Sequence, residues 1–231
     1  MLLTKNQLKL LAIVSMTLDH IGFAFFPDAV VLRIIGRLAF PIFSYCIAEG
    51  CRFTHDKKRY LGGVLGCGLL CVIAFLPVGG FYGNALITMS MSIVLLYAVQ
   101  AWENSGKSCF LVLTAVLAGA FWLLCRVFPI DYGFAGVLLP LYAEAGRLLW
   151  ERVFTGIPPV IGERMGFAVG LLVLAGVMGG VQRFCVLAIV PVALLGSERG
   201  RRRMKNFFYI YYPAHLAVIG TVQMALEALA G

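Results

Sequence analysis

The sequence predicts an all-α protein: a polytopic transmembrane bundle of about nine helical spans with its N-terminus on the cytoplasmic side. Three observations carry that prediction. Of 231 residues, 61% are hydrophobic and only 13% are charged, about half the charge of an ordinary soluble domain. The apolar residues form long unbroken runs, not the alternation that a transmembrane strand requires. Lysine and arginine collect in short segments between alternate runs. This composition excludes a water-soluble globule, a disordered tail and a nucleic-acid-binding module.

The first span runs from about Leu8 to Phe26 and the second from Val30 to Cys51. Tyr60 to Trp102 contains no Asp, Glu, Lys or Arg and is too long for one crossing. Pro77, Gly79 and Gly80 divide it into a third span, Tyr60–Leu76, and a fourth, Ala85–Trp102. The fifth covers Ser108–Phe128 and the sixth Gly133–Trp150. Gly179, Gly180 and Arg183 split Met165–Ala193 into a tight hairpin of two short spans, one ending at Val181 and one starting at Phe184. The ninth runs from Phe207 to Leu229, and residues 1–231 read as a single transmembrane domain. Asp19 and His20 inside the first run, with no A-x-A-like site after it, argue against a cleaved signal peptide.

The net charge of +8 sets orientation. With the N-terminus inside, the inner segments carry 15 of the 19 basic residues, including Arg52, Lys57, Lys58, Arg59 and the cluster from Arg199 to Lys205. Only Arg33, Arg126 and Arg183 fall outside, and Arg37 lies within a span. A multi-pass protein of a cell inner membrane is expected. The seven cysteines form no CxxC pair and mostly sit in apolar runs, as buried small hydrophobes rather than metal ligands or a disulfide framework. Gly62/Gly66, Gly166/Gly170 and Gly176/Gly180 have the spacing of close-packing helix faces, so a homodimer is an allowed assembly.

Ionisable groups inside spans carry most of the information, because each costs roughly 2.5–3.5 kcal/mol near the bilayer centre. They concentrate in the first two helices: Asp19 and His20, then Arg33, Arg37 and Glu49. His215 adds an imidazole to the ninth. Adjacent helical residues point about 100° apart, so Asp19 and His20 face different neighbours. Asp19 is expected to meet Arg37 first and Arg33 second, two arginines four apart on one face. His20 is then free to meet His215, and an imidazole can accept and return a proton near neutrality. The bland alternative is an ion pair that only fixes helix register. Glu49 reads as a local partner of Arg52, Asn84 and Asp131 as helix caps, and Tyr211 and Tyr212 as interface residues before Pro213. The basic segment RFTHDKKRY suits either anionic headgroups or a cytosolic phosphate clamp made by Arg52, Lys57, Lys58 and Arg59.

These residues resemble a known pattern. LKLLAIVSMTLDHIG (Leu8–Gly22), LRIIGRLAFPIF (Leu32–Phe43), FTHDKKRYL (Phe53–Leu61), DYGFAGV (Asp131–Val137) and YYPAHL (Tyr211–Leu216) occur in the order seen in the TraX family. That family is named for the acetyltransferase acting on the N-terminus of F-type conjugative pilin. It is similar in architecture to wider membrane acetyltransferases that use cytosolic acetyl-CoA. The resemblance implies acetyl transfer from acetyl-CoA to an amine or hydroxyl of a peptide, glycan or lipid, and it carries over Asp19, His20, Arg33, Arg37 and His215.

The mechanism expected has CoA phosphates on Arg52 and Lys57–Arg59, with Arg33 also on the donor side. His20 acts as base or acyl carrier, and His215 or Arg37 stabilises the oxyanion. The acceptor enters from the outer face. The expected partners are acetyl-CoA, that acceptor and the lipid bilayer. Two rivals stand beside this reading: a proton-coupled secondary transporter, which should show internal repeats and paired broken helices absent from the sequence pattern, and a non-catalytic membrane assembly factor.

Overall fold

Backbone in a bilayer has no water to satisfy its polar groups, so each apolar run must close its own hydrogen bonds as a helix. In the computed structural model, which describes residues 3–79, 81–196 and 205–230, the runs do so. The helices are α1 (Lys5–Phe25), α2 (Val30–Gly36), α3 (Ala39–Phe53), α4 (Lys57–Gly79), α5 (Ala85–Ser105), α6 (Cys109–Val127), α7 (Gly133–Val153) and α8 (Val160–Met178). A 3₁₀ helix (Gly180–Ala188), α9 (Ile189–Ala193) and α10 (Lys205–Ala230) complete the chain. Only two isolated β-bridges occur among the described residues. The basic residues Arg199, Arg201, Arg202 and Arg203, and Gly80, lie outside the described residues.

Five helical stretches among the described residues are long and apolar enough to cross a membrane: Lys5–Phe25, Val30–Phe53, Ala85–Ser105, Cys109–Val127 and Val160–Met178. The second expected span is broken. α2 stops at Gly36, and α3 begins at Ala39 after a turn at Arg37 and Leu38. The division after α8 falls where expected, with Gly179 and Gly180 at φ +66° and +49°, a region that glycine enters without steric cost. The segment that follows is mostly 3₁₀ rather than α. At about 2.0 Å rise per 3₁₀ residue, that segment with α9 covers close to 25 Å in few residues. α4, the third expected span, starts three residues early, at Lys57, and continues through Pro77 to Gly79.

The chain forms two compact units, residues 1–43 with 179–231, and residues 44–178, the division falling within α3. In the first unit α1 packs on α2 and on α10, and α2 packs on the 3₁₀ helix. Leu3 closes this unit at its edge: its N–H donates to the Leu194 carbonyl at 2.7 Å, and its carbonyl accepts from the Gly196 N–H at 2.8 Å.

In the second unit α7 and α8 form the tightest pair, and α5 packs on α4, α6 and α7. Leu95, Leu96, Val137, Leu139, Leu171 and Leu174 make its core. Glycine lets α7 and α8 approach. A Cβ on Gly146, Gly162 or Gly166 would collide with facing backbone or with Trp150, and one on Gly170 would sit 2.8 Å from Cβ of Tyr142. Of the glycine pairs marked in the sequence, Gly166/Gly170 is therefore a packing face. Gly62, Gly66 and Gly176 face nothing within 4 Å, and neither does Gly180. No residue of α6 is buried.

Candidate functional site

The first unit gathers five of the residues singled out from sequence. α1 presents two faces. Asp19 and Gly22 look toward α2, where the closest neighbours of a Cβ on Gly22 would be Leu32 and Arg33. Thr17 and His20, three apart and so on one face, look toward α10.

On the α2 side, Asp19 Oδ1 meets Arg33 Nη1 at 3.0 Å and binds Arg37 Nη2 more closely still. Arg33 Nη1 also donates to the Asp19 backbone carbonyl at 3.2 Å. Arg37 stands at the break between α2 and α3. Its Nε donates to the Arg33 carbonyl at 3.2 Å, which also accepts from the Arg37 backbone N–H. Its Nη1 donates to Oε1 of Gln182, in the 3₁₀ helix, at 2.9 Å. Gly36 makes the approach of the two helices feasible, since a Cβ there would overlap the Asp19 side chain.

On the α10 side, His20 Nδ1 lies 2.8 Å from His215 Nε2, and His215 Nδ1 lies 2.9 Å from the Tyr211 carbonyl. A carbonyl oxygen only accepts, so His215 Nδ1 carries a proton. In the neutral ring its Nε2 is then an acceptor, and His20 Nδ1 must be the donor. The lone pair of neutral His20 therefore sits on Nε2, which has no hydrogen-bond partner among the described residues. The Tyr211 ring stacks on His215 at 5.3 Å and 9°. The Thr17 hydroxyl donates to the Ile13 carbonyl, so the Tyr211 hydroxyl donates to Thr17 Oγ1 at 2.7 Å. His215 is thus held by its backbone bond, by the stack and through Tyr211.

The donor-side residues expected to act together do not share one environment. Arg33 belongs to the Asp19 cluster. Arg52, at the end of α3, is spent within the second unit: Nη1 donates to Glu163 at 2.9 Å and Nη2 to Glu144 at 3.0 Å. Its expected local pairing with Glu49 gives way to these buried carboxylates. Lys57, Lys58 and Arg59 are exposed in the first turn of α4. Lys57 Nζ lies 4.9 Å from the Tyr97 ring centroid, and the Arg59 N–H donates to Asp56 Oδ1.

Sequence reading missed the core of that second cluster. Arg147, one of the 15 basic residues counted with the inner segments, lies on α7 and is 7% exposed. It bonds Glu144, Glu151 and Glu103, the last at 2.9 Å. Glu144 and Glu163 are 1% and 3% exposed. The available signal was Glu144, Arg147 and Glu151 at three- and four-residue spacing, which puts them on one helix face. Asn84 caps α5 as expected, accepting from the Leu86 and Ile87 N–H groups. The N-cap of α7 is Tyr132 rather than Asp131, whose Oδ1 accepts from the Tyr82 hydroxyl at 3.2 Å.

Comparison with known proteins adds to this geometry. The model of the TraX protein family matches residues 4–223. The chain is 28% identical to the probable fimbrial assembly protein FimC, serogroup H1, of Dichelobacter nodosus, over 96% of each chain. It is 25% identical to protein TraX of Escherichia coli, over 95% of this chain and 87% of the relative. No solved structure matches.

Proposed function

The chain belongs to the TraX family, and from that premise we propose that it is a multi-pass acetyltransferase of a bacterial inner membrane. It would move an acetyl group from cytosolic acetyl-CoA to an amine or hydroxyl. Five helical stretches among the described residues have membrane-spanning length and hydropathy, and the nine-span, N-inside arrangement belongs to this proposal.

One observation carries the catalytic reading. His20 shows an unused Nε2 while its Nδ1–H is fixed on His215. An enzyme base needs this arrangement, with one nitrogen open to the substrate and the other anchored to an orienting group. His20 takes the proton of the acceptor as the new bond to the acyl carbon forms, and returns it to the leaving thiolate. His215 acts as the positioning residue. Its Nε2 accepts from the imidazolium, a role the structure favours over the oxyanion contact expected from sequence. Arg33 and Arg37 pair with Asp19, the residue next to the base. Lys57, Lys58 and Arg59 have the charge and exposure that suit the donor's phosphates, whereas Arg52 is engaged by Glu144 and Glu163.

The test is release of free thiol from acetyl-CoA by the protein in nanodiscs, with labelled acetyl located by peptide mass. His20→Ala should abolish release while leaving the melting profile unchanged. Wild-type release by His20→Ala removes His20 from the chemistry. The second reading is a non-catalytic assembly factor, suggested by the printed name of the Dichelobacter nodosus relative. It is favoured by a complete lack of thiol release from the wild type. The transport reading gains from the break at Arg37, and solute flux in proteoliposomes without thiol release would favour it.

A further inference from the structure

Gln182 is 7% exposed. Its Oε1 accepts from Arg37 Nη1 at 2.9 Å. The guanidinium has only donors, so the oxygen must face it, and the amide nitrogen is directed elsewhere without ambiguity of assignment. That nitrogen, Nε2, is fully buried and has no hydrogen-bond partner. Buried polar groups are nearly always satisfied, and an orphan donor calls for an explanation. The amide is also held firmly: Asp19 fixes Arg37, and Arg37 fixes the Gln182 oxygen. The result is a preset N–H donor attached to the ion cluster that begins one residue before His20, aimed at no acceptor of the protein.

We propose that the Gln182 side-chain amide is the donor that receives the carbonyl oxygen of the acyl group during transfer. The inference rests on the acetyltransferase reading. The acceptor nitrogen or oxygen bonds to the acyl carbon while His20 Nε2 takes its proton. The carbonyl electron pair moves onto oxygen, where Gln182 Nε2–H meets the developing charge. The pair then returns, the carbon–sulfur bond breaks, and the thiolate leaves as thiol with the proton from His20. A donor placed where charge develops, in a site that excludes water, stabilises the transition state more than the ground state. The 3₁₀ winding of Gly180–Ala188 is what delivers this side chain to Arg37.

The experiment compares wild type with Gln182→Glu and Gln182→Asn in nanodiscs, using acetyl-CoA as donor. Gln182→Glu keeps an oxygen for Arg37 and loses the donor, so the fold should hold. It is expected to lower kcat for thiol release by about 10²–10³-fold and to move KM for acetyl-CoA by less than about threefold. Gln182→Asn, with a shorter donor, should recover part of the loss. The infrared carbonyl stretch of ¹³C-acetyl-CoA, lowered on binding to wild type, should return toward its free position in Gln182→Glu. Wild-type release with undiminished kcat and unchanged carbonyl stretch in Gln182→Glu overturns this inference alone, and assigns the amide to a buried water. No release and no acetyl-CoA binding by the wild type overturns it together with the acetyltransferase reading.

Discussion

His20 and His215, 195 positions apart in sequence, share a hydrogen bond of 2.8 Å between Nδ1 and Nε2. Loss of the acceptor should therefore impair the base without removing it. His215→Ala is expected to lower kcat for thiol release by roughly 10²-fold, within the range of general base catalysis. His215→Gln, which can again offer an oxygen to His20 Nδ1–H, should recover about tenfold of that. Equal rates in the alanine and glutamine variants would show that only ring packing mattered.

Gly36 is where α2 admits the Asp19 side chain. Gly36→Ala should push the helices apart and cost about 1–3 kcal/mol, the usual range for overpacking. Thermal melting in detergent reads the loss. The same substitution at Gly62, which faces nothing within 4 Å, should leave the melting temperature unchanged or slightly raised. Equal effects at the two sites would mean that the close approach of Asp19 to Gly36 is not stabilising.

Arg147 bonds Glu144, of which only 1% is exposed. Arg147→Met leaves that carboxylate to Arg52 alone and should destabilise by about 1–3 kcal/mol. Arg147→Met combined with Glu144→Met should be milder, because the buried carboxylate that lost a partner is gone. Denaturant unfolding of the single and double variants decides this, and a double variant no better than the single would contradict it.

Cys109, at the start of α6, is exposed, while Cys51, Cys67, Cys71 and Cys185 are buried. With the N-terminus inside, Cys109 follows an inner segment. A membrane-impermeant maleimide should label it in inverted vesicles and not in spheroplasts, with Cys109→Ser as the blank. Labelling in spheroplasts reverses the proposed orientation.

Much of the first unit was legible in the sequence. Charges inside apolar runs have few ways to be satisfied, so Asp19, Arg33 and Arg37 nearly dictate their own pairing. Helical spacing then sends His20 to another neighbour. The break at Arg37 was not legible, because a span of sufficient length and hydropathy reads the same whether or not one turn is lost. Gln182 also escaped notice, since an amide carries no charge to mark it as costly. The second cluster was misread for a related reason. Positive charge near the end of a span is ordinarily a solvated loop, and the packing of α7 on α5, where Glu103 meets Arg147, is what shows that Arg147 is buried.

The site is assembled from the two ends of the chain, and this sets a schedule for its appearance on the ribosome. Asp19 can meet Arg37 after 18 further residues, so the first acidic charge enters the bilayer already matched. The partner of His20 is polymerised 195 residues later, roughly 10–40 s at ordinary bacterial elongation rates. A nascent chain released before Tyr211 would hold Arg33 and Arg37 on Asp19 and would lack the partner of His20.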